Sequence, residues 1–524
     1  MRNSTLVIGL LACAALADAR DALGQTAAAR CAELTKLQVP GVALSITKAE
    51  WLPASSPTTA AAGAPARAPL PAYCRMDGMV DRRIGAGGRT YGIGFGLALP
   101  ENWNGRFLFQ GGGGLNGSVG NPIGAQATGD TPALARGFAV VSTDTGHQGQ
   151  GAFDGSFMQD QQAALDFAYV AVGRVAVLAR QIIAQHYGKP VDKSYFVGCS
   201  TGGREAMLMA QRYPLYFDGI VSGAPAMRTG YSNLGTRSVA VALNQVAPKD
   251  ASGQPIPGQA FSESDKKVVI DGLLDACDAN DGVKDGMIFN TRACTFDPKT
   301  LVCGGGTKKD GCLSSQQAAA IEKAFAGPKD SKGNQVYPGF PYDTGITASG
   351  GGIPGLLSPG QSPLGPPNRS LQQDVDAEAA VQAANAQAIL SDTASWTNLA
   401  TFSGHGGKLL FYHGMSDPWF SAQDTIQYYE KLGAANGGTE QVQTWSRLFL
   451  SPGMGHCGGG QAALDNFDML SAVVDWVEKG TTPASVTATG RSQPGRSRPL
   501  CAYPKSAFYK GQGDPQDARN FECR

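Results

Sequence analysis

The chain of 524 residues carries 43 basic and 43 acidic residues, with 42% of its residues apolar and only 16% charged. That length exceeds one compact domain of ordinary size, so it implies one large domain with an insertion, or two domains. With zero formal net charge, nothing suggests the basic surface of a nucleic-acid binder or of a protein that docks on an anionic membrane.

Read from the start, MRNSTLVIGLLACAALADAR has a short positive region at Arg2 and an apolar stretch from Leu6 to Leu16 too short to span a bilayer. Small residues follow at Ala15, Ala17 and Ala19. Residues 1–19 therefore read as a secretory signal peptide, with lipoprotein cleavage at Cys13 as a variant. No later run approaches 18 consecutive apolar residues, so no membrane span is expected. Ten cysteines remain beyond Cys13, an even number that implies disulfides in an exported, secreted or periplasmic protein. They form no C-x-x-C pair, which leaves zinc and thioredoxin-like chemistry without support.

Residues 51–72 are rich in Ala, Pro and Ser and read as a surface loop. RFLFQ (106–110), FAVVS (138–142), SYFVG (194–198) and GIVS (219–222) read as strands, and 163–186 as a long helix. KLLFY (408–412) and RLFL (447–450) resume the strand pattern, and a helix over 467–479 closes it. Strands alternating with helices predict an α/β fold with a mostly parallel sheet. The alternation breaks between about 226 and 395, which reads as a large inserted lid. The expected organisation is a catalytic domain over 31–225 and 396–490, the lid over 226–395, and a C-terminal extension over 491–524.

GCSTG places Ser200 between Gly198 and Gly202, after a strand and before a helix. This is the pattern of a nucleophile elbow, whose strained turn needs small neighbours. A serine needs a base, and the base an orienting acid, each after a later strand. Of the five histidines, His147 and His186 precede the serine, His405 precedes a strand, and His413 leaves no strand-end acid between itself and Ser200. The remaining histidine is His456, after the last strand, and HGMSD supplies Asp417, with Asp424 as fallback. The oxyanion needs backbone donors, worth roughly 10²–10³ in rate each. Thr201 follows the nucleophile, and the loop GGGGLNG offers Gly113, or Gly112 beside it. No Lys follows that loop as in a phosphate-binding P-loop, and no organic cofactor is expected. Cys199 adjoins the serine and Cys457 the histidine, so a Cys199–Cys457 bridge would staple the elbow to the histidine loop.

CDANDGVKDGMIFNTRAC sets Asp278, Asp281 and Asp285 in a Gly-bearing loop between Cys277 and Cys294. Hard oxygen donors at short spacing suit Ca²⁺, though not with EF-hand spacing; the other reading is a solvated turn.

GCSTGGREA, FDGIVSGAPA, CDANDGVKDG, YHGMSD and GMGHC together resemble the tannase and feruloyl esterase family of α/β-hydrolases, from about Cys31 to the C-terminus. The resemblance implies a catalytic Ser200, Asp417 and His456 and the Cys199–Cys457 bridge. It also implies bridges Cys31–Cys74, Cys277–Cys294, Cys303–Cys312 and Cys501–Cys523. It further implies a structural Ca²⁺ on Asp278, Asp281 and Asp285 with the carbonyls of Val283 and Met287. The expected activity is hydrolysis of small aromatic esters with hydroxycinnamoyl, galloyl or hydroxybenzoyl groups. Hydrolysis of terephthalate or phthalate monoesters is the alternative within the same chemistry, although Arg369 is the one basic point in the second half of 339–396. A non-catalytic binding module on the same scaffold is the alternative of another class. The sequence leaves oligomeric state open.

Overall fold

The apolar runs become strands of one nine-stranded sheet in the computed structural model of the chain, which describes residues 27–56, 68–305, 308–347, 355–358 and 367–524. The strands are β1 (Leu44–Leu52), β2 (Tyr73–Ile84), β3 (Thr90–Pro100), β4 (Arg106–Gln110), β5 (Ala139–Thr143), β6 (Lys193–Cys199), β7 (Gly219–Gly223), β8 (Lys408–Gly414) and β9 (Ser446–Ser451). Their order is β1-β2-β3-β5-β4-β6-β7-β8-β9. From β5 to β9 every neighbouring pair is parallel. β1, β2 and β3 add an antiparallel flank, joined through β3 to β5. The expected signal segment and Cys13 lie outside the described residues, as do 57–67 of the expected loop over 51–72. Trp51 and Leu52 of that loop instead end β1, where they pair with Cys74 and Tyr73.

Helices cover both faces. α1 (Ala171–Tyr187) continues from Gln161–Leu165 through a π-turn at Asp166–Val170. The combined segment is long and apolar enough to cross a membrane, yet 61% of its most apolar stretch is buried inside the protein. Core burial accounts for its composition. α2 (Thr201–Arg212) follows β6 directly. Its Arg204, 2% exposed, donates to the carbonyls of Phe167 and Ala168 at 3.0 and 2.8 Å. A π-turn shifts the backbone hydrogen-bond ladder, and the guanidinium satisfies carbonyls there.

Between β7 and β8 the chain leaves the sheet. It forms α3 (Thr229–Asn244), α4 (Glu263–Cys277), α5 (Ser315–Ala326), α6 (Val375–Ala384) and α7 (Ala386–Ser391). This insertion has a core of its own around Val239, Leu243, Leu273, Ile321 and Phe325. α8 (Ala422–Ala435) and α9 (Met469–Lys479) return to the sheet. Two small sheets end the chain: β10 (Asn466–Phe467) with β11 (Ser485–Thr489) and β12 (Ser497–Cys501), and β13 (Ala507–Tyr509) with β14 (Phe521–Cys523). Tyr503 N–H donates to the Leu448 carbonyl at 2.8 Å, so this region covers the open edge of β9.

All ten described cysteines are paired, as Cys31–Cys74, Cys199–Cys457, Cys277–Cys294, Cys303–Cys312 and Cys501–Cys523. Five disulfides mark a protein of an oxidising compartment.

Candidate active site

Ser200 stands where β6 gives way to α2, with φ 65° and ψ −125°. A non-glycine residue there is strained, and the neighbouring contacts hold it. Its N–H donates to the Gly223 carbonyl, and its own carbonyl accepts from Arg204 and Ala226, all at 3.0 Å. The flanking positions have to be glycine. A Cβ on Gly198 would strike the Gly202 carbonyl, and one on Gly202 would lie 2.6 Å from the Gly112 carbonyl oxygen.

Asp417 lies in the loop after β8 and His456 in the loop after β9. His456 Nδ1 meets Asp417 Oδ2 at 2.7 Å, and the residues are 8% and 2% exposed. The nitrogen facing the carboxylate carries the proton, which leaves Nε2 with a free lone pair. The rings of Trp419 and Phe420 sit 5.0 and 5.3 Å from the imidazole. Asp417 Oδ1 accepts from the N–H groups of Trp419 and Phe420 at 2.9 and 3.1 Å. Burial pushes the Asp417 carboxyl up, but the charge of His456 and hydrogen bonds from both His413 and His456 outweigh it, holding the carboxyl well below its usual range. Asp424, the fallback acid, is not the partner of His456; it pairs with Arg228 at 2.5 Å.

The disulfide Cys199–Cys457, with Cα atoms 6.0 Å apart, joins the residue before Ser200 to the residue after His456 across 258 residues of sequence. Among the described residues Ser200 Oγ makes no hydrogen bond to His456, whose Nε2 lies 3.6 Å from Cys457 Sγ. Such contacts commonly close only when substrate is bound.

The glycine loop after β4 packs against α2. Gly112 N–H is taken by Glu205 Oε2 at 2.9 Å, which removes it as an oxyanion donor. Among the described residues the N–H groups of Gly113 and Thr201 donate to no acceptor, and a Cβ on Gly113 would point into open space. Glu205 also accepts from Asn116 Nδ2 at 2.7 Å and is fully buried. Burial raises its carboxyl, and Arg204 and the two donors work against that rise. It ties α2 to the glycine loop after β4.

Two further residues bear on the Asp417–His456 pair: His413, set aside in the sequence as the base, and Asp343, not singled out there. His413, inside β8 and fully buried, directs Nε2 at Asp417 Oδ2 (3.2 Å) and the Phe420 carbonyl (2.9 Å). Both are acceptors, so Nε2 carries its proton, and Nδ1 accepts from the Thr425 hydroxyl at 2.8 Å. Asp343, in the insertion and also fully buried, accepts from Ser416 Oγ and Gly453 N–H, each at 2.6 Å. One carboxylate thus spans the loop of Asp417 and the loop of His456. The only sequence signal for His413 was its place in YHGMSD; Asp343 had none.

A cavity of about 900 Å³ opens on Ser200 and Thr201, walled by Leu115, Phe153, Trp419 and Phe420 and roofed by α3, α6 and α7. The cavity is largely apolar, as small-molecule sites are.

The acidic loop lies away from this cavity, and the Cys277–Cys294 bridge closes it. Asp278 accepts from Asp285 and Gly286 N–H, Asp281 from Val283 and Phe289 N–H, and Asp285 from Met287 N–H. Asp285 also pairs with the buried Arg498 of the C-terminal region. Burial raises Asp281 to about 7, with the charges of Asp285 and Asp278 adding to the rise. Each carboxylate accepts from backbone N–H groups of its own loop. Among the described residues no three His, Cys, Asp or Glu side chains stand grouped to hold a metal. Three carboxylates in one loop nonetheless supply donors of the hard oxygen type that a divalent cation takes.

A parallel sheet with an elbow serine and an Asp–His pair on the loops of two later strands defines an α/β-hydrolase. The chain belongs to the tannase and feruloyl esterase family, whose description matches residues 80–524, and it is a carboxylic ester hydrolase. It is 37% identical to mono(2-hydroxyethyl) terephthalate hydrolase of Piscinibacter sakaiensis, over 92% of this chain and 89% of that protein. It is 32% identical to a probable feruloyl esterase B-2 of Aspergillus terreus, over 81% of this chain and 82% of that one. The crystal structure of feruloyl esterase B from Aspergillus oryzae superposes with a TM-score of 0.76 at 27% identity, covering 95% of this chain and all of that one.

Proposed function

We propose that the chain hydrolyses esters of aromatic carboxylic acids through an acyl-enzyme. The cavity carries this reading, because its aromatic wall at Trp419, Phe420 and Phe153 stands beside Ser200. An aryl acyl group fills such a wall, with a hydroxycinnamoyl, galloyl or hydroxybenzoyl ester as the substrate class. Two relatives are named for esters of aromatic acids, which agrees.

In the mechanism, Ser200 Oγ attacks the ester carbonyl as His456 Nε2 takes its proton. The oxyanion collects the N–H groups of Thr201 and Gly113. Collapse expels the alcohol, protonated by His456, and leaves the acyl group on Ser200. Water then attacks that acyl group, giving its proton to His456, and the acid departs as Ser200 is reprotonated. Asp417 holds the imidazole tautomer and stabilises the imidazolium, a role its depressed carboxyl suits.

Hydrolysis of terephthalate monoesters is the second reading, favoured by the 37% identity to a hydrolase of that kind. A panel of methyl ferulate, methyl gallate and mono(2-hydroxyethyl) terephthalate separates the two. Ser200→Ala is expected to abolish turnover with an unchanged melting curve; retained hydrolysis would refute the assignment.

The acidic loop is proposed to hold one structural Ca²⁺ on Asp278, Asp281 and Asp285 with the carbonyls of Val283 and Met287. Its support is the mutual repulsion of the three carboxylates. The ion would offset that repulsion and takes no part in the steps above. Secretion or residence in the periplasm is the proposed location, supported by the five disulfides.

A further inference from the structure

Among the described residues Arg228 is one of four arginines in the wall of the cavity that opens on Ser200. It lines the cavity together with Ser200, Trp419 and Phe420. The turn that carries it abuts the nucleophile, since Ala226 N–H donates to the Ser200 carbonyl at 3.0 Å. Its charge is already engaged. Nε donates to Asp424 Oδ1 and Oδ2 at 3.1 and 3.2 Å, and Nη2 to Oδ1 at 2.5 Å. The Arg228 side chain is 22% exposed and that of Asp424 only 8%, so the carboxylate sits behind the guanidinium. The guanidinium carbon lies 5.2 Å from the centre of the Tyr337 ring and 5.8 Å from that of Tyr231. Among the described residues Nη1 donates to no protein acceptor.

The other arginines of the cavity wall are engaged as well. Arg204 is spent on the Phe167 and Ala168 carbonyls, Arg237 faces Glu378 at 3.4 Å, and Arg369 pairs with Asp250 at 2.6 Å. An acyl group with a second, free carboxylate would therefore place a second anion on a guanidinium that already has one. In a partly desolvated cavity the two anions repel, and Asp424, buried in the first turn of α8, is held by hydrogen bonds from Arg228. A phenol or methoxy oxygen can accept from Nη1 and leave the ion pair intact.

On the aryl-ester reading above, we propose that the Arg228–Asp424 pair is the specificity determinant of the acyl subsite, admitting uncharged, oxygen-substituted aryl groups and disfavouring those with a second carboxylate. Asp424 acts through Arg228 and touches no substrate. It works by cancelling the charge that would otherwise attract an anionic ring.

The test is kcat/KM on para-substituted methyl benzoates that differ in charge: methyl 4-methoxybenzoate, dimethyl terephthalate and the anionic monomethyl terephthalate. Wild-type protein is expected to prefer the neutral esters by about tenfold or more, mostly through KM. Asp424→Asn, equal in size, frees the positive charge, and the neutral-to-anionic ratio is expected to fall by about tenfold. Asp424→Ser should shift it the same way and stands in if the first variant folds poorly. Equal or better wild-type turnover of monomethyl terephthalate would overturn the proposal, as would an unchanged ratio in folded Asp424 variants. No turnover of any of the three esters by wild type would sink the aryl-ester reading itself, and this inference with it.

Discussion

Two regions of the molecule bury carboxylates, and they meet the cost of doing so in opposite ways. Asp417 accepts from two imidazoles and two backbone N–H groups, and its carboxyl is held well below the ordinary range. Asp281 accepts from only two N–H groups at 3.2 and 3.3 Å, has two acidic neighbours, and rises to about 7. The first carboxylate has four hydrogen-bond donors within the chain, and they hold it as an anion. The second region has one buried guanidinium, Arg498, for three carboxylates. Burial alone thus tells nothing about a carboxylate's charge; the partners decide it. Asp417 is supplied with donors by its own chain, whereas the acidic loop sets three carboxylates against one guanidinium.

The largest effect should come from breaking the first arrangement. Asp417→Asn retains shape but gives His456 Nδ1 an amide that can present N–H as readily as oxygen, so the tautomer with a free Nε2 is no longer favoured. We expect kcat to fall about 10³–10⁴-fold with KM little changed. A loss of less than tenfold would show that the His456 tautomer is set elsewhere, with His413 the first suspect.

A smaller loss should follow from removing Asp343, which joins the two loops without hydrogen-bonding to Asp417 or His456. Asp343→Ala frees Ser416 Oγ and Gly453 N–H together, and a kcat loss of about 10–100-fold is expected from misplacement of the Asp417–His456 pair. Asp343→Asn presents a carbonyl to the same two donors and its amide to the place of the unpartnered Oδ1. It should stay within about threefold of wild type. Equal losses in both variants would mean that the charge, not the bridge, matters.

These residues also show which parts of the site the sequence could carry. Ser200, Asp417 and His456 were legible because a nucleophile elbow and strand-end loops in fixed order leave a linear trace. Cys199 and Cys457 were legible as neighbours of two residues that must meet. Glu205, His413 and Asp343 were not, because their partners are backbone groups and carboxylates that only the folded topology delivers. The fold divides similarly. β4 to β9 are short apolar runs beside turn signals. β3, YGIGFGLALP, has glycine at alternate positions, which breaks the apolar pattern although nearly all of it is buried. Those glycines admit neighbouring side chains: a Cβ on Gly96 would lie 2.5 Å from Arg75 Nη2, and one on Gly94 would strike Asp144. The contact of Arg498 with the acidic loop, 213 residues away, left no local signature.

The acidic loop gives the next effect in size. If it is short of one cation, chelator should lower Tm by several degrees, and added Ca²⁺ should restore it by mass action. Asp281→Asn should abolish that calcium dependence and, in chelator, melt above wild type, since it removes one of three repelling charges. Identical melting with and without chelator would put this region on the same footing as the active site.

A third kind of buried group, one with no close hydrogen-bond partner, sharpens the comparison. His147 is 2% exposed, neither ring nitrogen has a hydrogen-bond partner, and its ring stacks on Phe157 with centroids 3.8 Å apart. Burial lowers it from 6.5 to about 4, although the charge of Asp154 and the backbone of Leu115 and Thr145 act in the opposite direction. Between those two values the unfolded chain takes up a proton that the folded chain refuses. Stability is therefore lost as pH falls from about 6.5 to 4, and this group contributes no further change below that, where both states are protonated. His147→Phe preserves the stack on Phe157 and removes the titration. Comparing denaturant unfolding at pH 7 and pH 4.5, wild type should lose on the order of 2 kcal/mol more than the variant. The carboxylates titrate alike in both proteins and cancel in the difference. Equal losses would mean that the folded protein protonates His147 near its ordinary pH, and that a buried group here can be charged without a partner.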